Sequence, residues 1–352
     1  MRVLIIGGGG VGSVLAGYLA RSGRNVTVAD GWFANVETIR HRGLTVEAVE
    51  GHFVAHPRAI HLEELAEFGQ ADVIVIAGKS YDTRMLTLLA REHLHSDTIV
   101  MSAQNGMNDA SVAETVGEER VVACVVALGA DLIDAGRVRR SSAEDAPSIV
   151  IGHLAPGRSG AVIEALGELF SPLGGVKLVD DAWPERWGKL TLNSMSNALA
   201  GLTGLWSDRM WSESLTLDVI IALGHETAML AAAEGVSASP VLGRISQPLL
   251  ISADSVVGEA WAEVVAIMRV ISAERVGKKA NRASLLQDIM RGRRTEIDHL
   301  NGWIVRRARE LGMSAPTHER IVLELKSVEA GARPPALDNA RPLAQAVRAW
   351  YP

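Results

Sequence analysis

The chain opens with MRVLIIGGGGVGSVLAGY at residues 1–18, and this stretch decides the fold. Residues 3–6 form a short apolar run of the kind found in strands, and the glycines Gly7, Gly9 and Gly12 follow at once. Apolar residues then recur at helical spacing. The first glycine allows a tight turn, the second lets backbone approach a ligand, and the third lets the helix pack closely on the strand. The stretch therefore predicts a strand, a glycine turn and a helix.

This glycine turn predicts a dinucleotide site. The helix is expected to begin near Val11, so that its free N–H groups and its positive end face a pyrophosphate, with Gly10 and Val11 supplying backbone. A glycine-rich turn also occurs as a purely structural element. Its position between a strand and a helix that carries small residues favours dinucleotide binding.

Length and composition limit the remaining possibilities. A chain of 352 residues exceeds one typical core, which predicts two domains. Its net charge of −6 provides no basic field for nucleic acid or an anionic membrane, and the short cluster around Arg291 is typical of a solvated helix junction. The single cysteine, Cys124, excludes a disulfide framework and fits a reducing cytoplasm.

The longest apolar stretch, at 215–235, predicts a buried helix of a soluble protein. It contains four ionisable residues, which a membrane span would accept only at a high energetic cost. His225 and Glu226 resemble the start of a zinc-binding motif, but Met229 occupies the position of the second histidine. No metal site is therefore predicted.

The two halves of the chain have different patterns. Strand-like and helix-like runs alternate in the first half, which predicts a parallel sheet covered on both faces. Strands are predicted at 25–29, 73–77, 98–102, 121–126 and 176–179, and two further strands, 137–140 and 147–152, are predicted at the sheet's edge. A helix is predicted at 159–173. Helical patterns follow at 185–202, 215–235, 255–272 and 296–311, the last with a capping box from Thr295 to Asp298 and a terminating Gly312.

These patterns predict three segments. Residues 1–182 form a dinucleotide-binding domain, and residues 183–330 form a helical substrate and catalytic domain. The Pro-rich tail at 331–352 is expected to wrap the surface or to be poorly ordered. The apolar helical domain also predicts a homodimer.

Asp30, at the end of the second predicted strand, indicates which coenzyme is used. It lies eighteen residues after Gly12, where a carboxylate accepts hydrogen bonds from the adenosine ribose and repels a 2′-phosphate. Asp30 therefore favours NAD(H). Two alternatives stay open: Asp30-Gly31 is also a common turn pair, and Arg24 or Arg40 could admit NADP(H) if the loop folds back.

Two clusters of polar residues are candidates for catalysis. Lys189, Asn193 and Asn197 are spaced four apart, so they share one face of a helix, and their apolar neighbours indicate that this face lines a cleft. Ser284 and Glu296 belong to the second cluster. Their structural alternatives are a helix cap for Ser284 and a first-turn helix carboxylate for Glu296.

The motifs resemble the ketopantoate reductase (2-dehydropantoate 2-reductase) family in the family's order across residues 1 to about 330. They are the glycine turn, Gly78-Lys79, Gln104-Asn105-Gly106-Met107, Trp187-Gly-Lys189-Leu-x-x-Asn193-x-x-x-Asn197, Ser284-x-Leu-Gln287-Asp288 and Arg294-Thr295-Glu296-Ile-Asp298-x-x-Asn301-Gly302. The resemblance implies an α/β fold, with an N-terminal Rossmann domain built on a doubly wound parallel sheet and a C-terminal all-helical domain, similar to 6-phosphogluconate dehydrogenase. It also implies a cytoplasmic enzyme of pantothenate biosynthesis.

The resemblance further implies roles for individual residues. Lys189 matches the general acid that protonates the developing alkoxide, and partial burial would lower its pKa toward a useful range. Glu296 matches the acid that holds the substrate hydroxyl and helps orient the lysine. The groups that bind the hydroxyl and carboxylate ends of the substrate are matched by Asn193, Asn197 and Ser284.

Two further residues match positions near the nicotinamide. Lys79 and Asn105 each follow a predicted strand, at the carboxyl ends where parallel sheets bind ligands, and Asn105 is implied in substrate binding as well. The structural alternatives are a solvent-exposed lysine and a turn residue.

The sequence departs from the family pattern in its long segment from Asn197 to Ser284, which contains Trp206, Trp211 and Trp261. An enlarged pocket there would suit a bulkier, more apolar substrate, whereas tryptophans that fill the core are the structural alternative.

Asp30 is a second departure, because family members that use NADPH usually present a cation or a hydroxyl at this position.

We predict NAD(P)H-dependent reduction of a small-molecule 2-oxo acid to a 2-hydroxy acid. The alternative is a related reductase for a bulkier ketone or alcohol. A non-enzymatic dinucleotide sensor comes third, because it would be expected to lack Lys189 or Glu296.

Overall fold

The computed structural model describes residues 1–155, 160–275 and 282–352. It divides into two compact units, Met1–Ala182 and Trp183–Pro352. The first unit contains two β-sheets with their helices. The described part of the second unit consists of helices and turns, with one isolated β-bridge between Val241 and Ile245.

The first unit contains all the predicted strands, together with strands and helices that the sequence pattern did not single out. The strands are β1 (Arg2–Ile6), β2 (Asn25–Asp30), β3 (Leu44–Ala48), β4 (Gly51–Ala55), β5 (Arg58–His61), β6 (Val73–Ile76), β7 (Ile99–Ser102), β8 (Val121–Val126), β9 (Ala130–Asp134), β10 (Arg137–Arg140), β11 (Ile149–His153) and β12 (Val176–Asp181). The helices of the first unit are α1 (Gly10–Arg21), α2 (Phe33–Arg42), α3 (Thr83–Arg91), α4 (Asp109–Val116) and α5 (Gly160–Phe170). The predicted first residue of α5, Ser159, lies outside the described residues.

The main sheet has eight strands in the order β12-β11-β8-β7-β6-β1-β2-β5. The six strands from β8 to β5 are parallel, β11 is antiparallel to β8, and β12 is parallel to β11. Val14 of α1 and Ile163 of α5 belong to the apolar core on one face, and Leu86 of α3 and Val112 of α4 belong to the core on the other. The predicted doubly wound parallel sheet is confirmed.

The prediction for residues 137–140 was wrong in one respect. They form β10, which belongs to a second sheet of order β4-β3-β10-β9 rather than to the edge of the main sheet. Val138 is fully buried, whereas Arg137 and Arg139 both pair with Glu47 of β3. This alternation suits a sheet with one covered face, because strands buried on both faces are apolar throughout. Strand β11 is also one place in from the edge, which β12 occupies.

The second unit is built around two long helices that pack on each other. Its helices are α6 (Trp183–Thr203), α7 (Ser207–Met210), α8 (Ser214–Ala233), α9 (Gln247–Ser252), α10 (Glu259–Arg275), α11 (Ser284–Met290), α12 (Asn301–Glu310), α13 (Pro316–Glu329) and α14 (Arg341–Trp350). Helices α8, α11 and α13 all pack on α6. By length and composition α8 could cross a membrane, but it is mostly buried inside the unit, as the core helix of a soluble protein is.

The helix predicted at 296–311 begins later than expected. A 3₁₀ turn, Ile297–His299, comes first, and Leu300 is the N-terminal cap of α12. The predicted capping box does not form, because residues 297–299 form the 3₁₀ turn and the α-helix starts only at Asn301. The Thr295 hydroxyl donates to Glu329 at 2.6 Å. The terminating glycine is confirmed, since Gly312 has a φ of +68° just beyond the helix end.

The C-terminal segment contains ordered structure. A 3₁₀ turn, Leu337–Ala340, leads into α14, which packs on α8 and α13 and buries Leu343 and Val347. Pro342 lies in the first turn of α14, where its missing N–H has no partner within the helix. Of the two alternatives for this tail, poor order is therefore wrong, because α14 packs on the helices of the second unit.

Candidate active site

The glycine turn follows β1 and has the geometry that its sequence predicts. Gly7 has a φ of +115°, and a Cβ on it would lie 2.5 Å from the backbone nitrogen of Gly78. A Cβ on Gly12 would lie 1.9 Å from the carbonyl oxygen of Gly7, so both positions require glycine. A Cβ on Gly9 would meet no atom of the described residues within 4 Å. The turn is thus closely packed at Gly7 and Gly12 and open at Gly9.

Helix α1 begins at Gly10, one residue before the predicted start, and Val11 lies in its first turn. Its cap is Gly9, which has no side chain to accept hydrogen bonds from the first N–H groups. An open approach at Gly9 and a helix N-terminus without a side-chain cap are what a pyrophosphate requires. The residues of the turn therefore fit a dinucleotide.

The Asp30 carboxylate, at the end of β2, is held in place by its neighbours. Its Oδ2 accepts a hydrogen bond from Asn35 Nδ2 at 2.8 Å, and its Oδ1 accepts one from the backbone N–H of Trp32 at 3.3 Å. Asp30 stays partly exposed. It therefore has the local turn contact of the structural alternative and keeps an accessible carboxylate.

The two cations considered for NADP(H) bind other groups. The Arg40 guanidinium donates to the carbonyl of Ala59 at 2.9 Å and pairs with Glu37 and Glu64. Arg24 donates to the carbonyl of Glu168 at 3.1 Å. Each guanidinium is thus directed to a carbonyl or carboxylate other than Asp30.

Lys79 and Asn105 lie in the loops after β6 and β7, two neighbouring parallel strands. Buried Gln104 joins these loops, because its Nε2 donates to the carbonyls of Gly78 at 3.0 Å and Lys79 at 3.2 Å. The Ser80 hydroxyl also donates to the carbonyl of Asn105 at 3.0 Å. Gln104 was part of the quoted motif, but no sequence pattern indicated that it would join the two loops.

The polar stripe of the second unit lies on α6. Asn193 and Asn197 are buried, and Lys189 is half-buried. Desolvation by burial lowers the pKa of Lys189 below its ordinary value of 10.5, because the charged ammonium is disfavoured away from water. The stripe therefore combines two buried amides with a lysine of increased acidity.

Asn197 and Ser284 are in contact. The Asn197 Nδ2 donates to the Ser284 Oγ at 3.4 Å, where α11 packs on α6. Ser284 is the first residue of α11, and the helix cap is Ala283. Ser284 is therefore not the helix cap considered as its structural alternative.

Glu296 is buried and precedes the 3₁₀ turn, so it is not a first-turn residue of α12. Its backbone carbonyl accepts a hydrogen bond from the N–H of His299 at 2.9 Å. Five residues further on, buried Asn301 donates from Nδ2 to the carbonyl of Ser194 at 3.0 Å. Asn301 thereby ties the segment that carries Glu296 to α6, the helix that carries Lys189.

A buried histidine continues this connection. His318 Nδ1 lies 3.1 Å from Asn301 Nδ2, and His318 Nε2 lies 3.1 Å from both the Thr227 hydroxyl and the Leu223 carbonyl. Burial lowers the pKa of His318 to about 3, so the ring is neutral and Nδ1 accepts the hydrogen bond from Asn301. Asn301 lay in a quoted motif without a role, and an isolated histidine gave the sequence analysis no signal.

The tryptophans of the long segment take two kinds of position. Trp211 and Trp261 are almost fully buried, which agrees with a core role. Trp206 is 39% exposed, and the Arg282 guanidinium lies 4.5 Å from the centre of its ring. Of these three tryptophans, only Trp206 is substantially exposed. It lies beside Arg282, two residues before Ser284.

Comparison with known proteins identifies the family. Residues 3–156 match the family model described as ketopantoate reductase PanE/ApbA, and residues 181–329 match the model for its C-terminal part. The chain belongs to this family. Membership makes it a nicotinamide dinucleotide-dependent oxidoreductase, as the glycine turn indicated.

Individual members of the family align over nearly the whole chain. A 2-dehydropantoate 2-reductase of Halobacterium salinarum is 28% identical over 321 residues, which cover 90% of this chain and 95% of that protein. The crystal structure of a PanE/ApbA family ketopantoate reductase from Ralstonia eutropha JMP134 is 28% identical with a TM-score of 0.75, and the match covers 94% of this chain and 99% of that one.

The fold is also shared with a structure of D-mandelate dehydrogenase containing NADH and anilino(oxo)acetate. That structure has a TM-score of 0.79 and 21% identity, and the match covers 94% of this chain and 99% of that one. At this identity the likeness concerns the fold alone.

Proposed function

We propose that this enzyme reduces a ketopantoate-like 2-oxo acid to the 2-hydroxy acid, with NADH as the reductant and Lys189 as the general acid. The observation that carries the proposal is the half-buried Lys189 on the same helix face as Asn193 and Asn197, with its pKa lowered by burial. A general acid works best when its pKa approaches the working pH. A lysine on an exposed helix face would not meet this requirement.

The first unit provides the groups that hold the coenzyme. The backbone of the glycine turn and the N-terminus of α1 bind the pyrophosphate, and Asp30 accepts the ribose hydroxyls. Lys79 and Asn105 contact the nicotinamide end. A bound nicotinamide dinucleotide supplies a hydride to the carbonyl carbon of the substrate.

The second unit provides the groups that act on the substrate. As the carbonyl carbon gains the hydride, its oxygen gains the electron pair of the broken π bond, and Lys189 Nζ transfers a proton to this oxygen. The lysine leaves the step neutral and regains a proton from solvent. The positive charge on the ammonium also stabilises the developing negative charge before the proton moves.

The substrate carboxylate requires hydrogen-bond donors, and the second unit offers several. The amides of Asn193 and Asn197 and the Ser284 hydroxyl can all donate to it, and the contact between Asn197 and Ser284 fixes two of these groups relative to each other. Glu296, buried on a segment tied to α6, accepts from the substrate hydroxyl and helps orient Lys189.

NADH is proposed over NADPH because of charge. Asp30 would repel a 2′-phosphate, and the two guanidinium groups considered for NADP(H), those of Arg24 and Arg40, bind other acceptors. We further propose that the enzyme is a soluble, cytoplasmic homodimer. Size-exclusion chromatography with light scattering would test the oligomeric state.

A panel of 2-oxo acids tests the proposed reaction directly. Ketopantoate, an unbranched aliphatic 2-oxo acid and phenylglyoxylate are each assayed with NADH and with NADPH, and kcat/KM is compared. We expect the highest value for ketopantoate with NADH. A preference for phenylglyoxylate would assign the enzyme to bulkier substrates, and activity on no 2-oxo acid with either coenzyme would contradict the proposal.

A further inference from the structure

We propose that Asn35 is a positioning residue for the coenzyme: it fixes the Asp30 carboxylate for the adenosine ribose and so contributes to the selection of NADH over NADPH. This inference rests on the proposed function, because it assigns a part of the same coenzyme site. It concerns a residue that neither the glycine motif nor the strand-end carboxylate points to.

Asn35 lies in α2 and is completely buried, and both the nitrogen and the oxygen of its side-chain amide make hydrogen bonds. Nδ2 donates to Asp30 Oδ2 at 2.8 Å and to the carbonyl of Gly8 at 3.2 Å. Oδ1 accepts a hydrogen bond from the backbone N–H of Gly136 at 2.8 Å. Asn35 thus joins the glycine turn, the end of β2 and the turn between β9 and β10.

This network fixes the orientation of the Asn35 amide. If the amide were reversed, Oδ1 would face the Asp30 carboxylate and the Gly8 carbonyl, and Nδ2 would face the N–H of Gly136. All three hydrogen bonds would become repulsive contacts inside a buried site. Asn35 therefore always presents an N–H to Asp30.

The carboxylate still has capacity for a ligand. An ionised carboxylate has about four acceptor positions, two on each oxygen. The donors described for Asp30 are Asn35 Nδ2 on one oxygen and the N–H of Trp32 on the other. One position on each oxygen is thus left for a hydroxyl, which matches the two adjacent hydroxyls of a ribose.

The position of Asp30 against the glycine turn supports this assignment. A Cβ on Gly8 would lie 2.4 Å from Asp30 Oδ2 and 2.9 Å from Asn35 Nδ2, so a larger residue at this position would displace the Asp30–Asn35 pair from the turn. Asn35 therefore holds the carboxylate directly against the turn that we assign to the pyrophosphate. In a dinucleotide the adenosine ribose is covalently joined to that pyrophosphate, so the two subsites must be adjacent.

The test measures binding of parts of the coenzyme to the full chain. Dissociation constants for NADH, NADPH, ADP-ribose and reduced nicotinamide mononucleotide are determined for the wild type, for Asn35→Ala and for Asn35→Asp. Thr98→Val is the matched control, since buried Thr98 also makes two hydrogen bonds in the first unit, to Ala71 and His95, at the start of β7 rather than at the turn. Thermal unfolding is recorded for every variant.

We expect Asn35→Ala to weaken NADH and ADP-ribose binding about tenfold, the loss of one charge-assisted hydrogen bond. Binding of reduced nicotinamide mononucleotide should not change, and the ratio of NADH to NADPH affinity should fall. Asn35→Asp, which keeps the acceptor for Gly136 but presents a second carboxylate to Asp30, should lose more. Thr98→Val should lower the unfolding temperature without changing the coenzyme ratio.

Two negative outcomes can be told apart. If Asn35→Ala unfolds at a lower temperature but retains the wild-type affinity for ADP-ribose and the wild-type coenzyme ratio, Asn35 is only structural and the inference is wrong. If the wild type binds neither NADH nor ADP-ribose, the proposed coenzyme site itself fails. Should Asn35→Ala not fold, Asn35→Asp decides the matter by the same ratio: a lower ratio of NADH to NADPH affinity supports the inference, and an unchanged ratio makes it wrong.

Discussion

The Asn197 amide donates to the Ser284 hydroxyl at 3.4 Å, although the two residues are 87 positions apart. The long segment between them leaves α6, forms α7 to α10 and returns to α6 through α11. Asn197 and Ser284 belong to two different motifs, and both are predicted to bind the substrate. They therefore meet within the second unit. The length of the intervening segment did not disrupt this pairing, because α11 packs directly on α6.

Removing the proposed acid should stop turnover without affecting coenzyme binding. We expect Lys189→Ala to lower kcat by about two to four orders of magnitude, the usual contribution of a general acid, while the dissociation constant for NADH stays close to that of the wild type. Steady-state kinetics and fluorescence titration measure the two quantities. Near-normal turnover in this variant would show that Lys189 is not the proton donor.

The pH dependence should report the lowered pKa of Lys189. Reduction requires the ammonium form, so kcat/KM should fall as the pH rises through the pKa of Lys189, which burial places below 10.5. Lys189→Arg keeps the positive charge but does not titrate in this range. The descending limb should be absent from the pH profile of this variant, and a limb that persists unchanged would belong to another group.

Coenzyme choice should depend on the Asp30 carboxylate. We expect Asp30→Ala to lower the ratio of kcat/KM for NADH to that for NADPH by about tenfold, because repulsion of the 2′-phosphate and the ribose hydrogen bonds are lost together. Asp97→Ala, which removes an exposed carboxylate in the turn before β7, is the control. A coenzyme ratio unchanged from the wild type would remove the ribose assignment.

The buried His318 should make stability depend on pH. Its pKa is about 3 in the folded chain and about 6.5 when unfolded, so the unfolded state binds the extra proton between these values and stability falls as the pH falls below 6.5. From pH 7 to pH 5, the wild type should lose about 2 kcal/mol more free energy of unfolding than His318→Gln.

Chemical denaturation at the two pH values measures this difference. His56→Gln, which changes an exposed histidine, should follow the wild type at both. Equal losses in the wild type and in His318→Gln would mean that the network through Asn301 does not require a neutral ring.

Much of the first unit could be predicted from the sequence, because its information is local. Strands buried on both faces are continuous apolar runs, and the closely spaced glycines indicate the turn. The placement of 137–140 was wrong, and β3, β4, β5 and β9 were not predicted. One buried valine between two arginines identifies a strand with one covered face, but not the sheet to which that strand belongs, since its partner β3 lies far away in the chain.

The second unit was harder to predict in detail. Four helical patterns and the stripe at Lys189, Asn193 and Asn197 follow from spacing alone, whereas α13 was not predicted. The helix start at Asn301 did not, because residues 297–299 form a 3₁₀ turn, which spacing does not distinguish from the first turn of an α-helix. The ordered α14 was missed because its amphipathic face becomes visible as such only once α8 and α13 supply the surface that it covers.

By itself, the sequence determined the dinucleotide turn, the two kinds of architecture and the residues that resemble a reductase site, because each depends on neighbours in the chain. Only the tertiary structure decided that Asn35 holds Asp30 against Gly8, that Asn301 and His318 tie the Glu296 segment to α6, and that Ser284 meets Asn197. These are hydrogen bonds between buried or partly buried groups whose partners are set by packing. Burial also lowers the pKa of Lys189, and no local pattern measures burial.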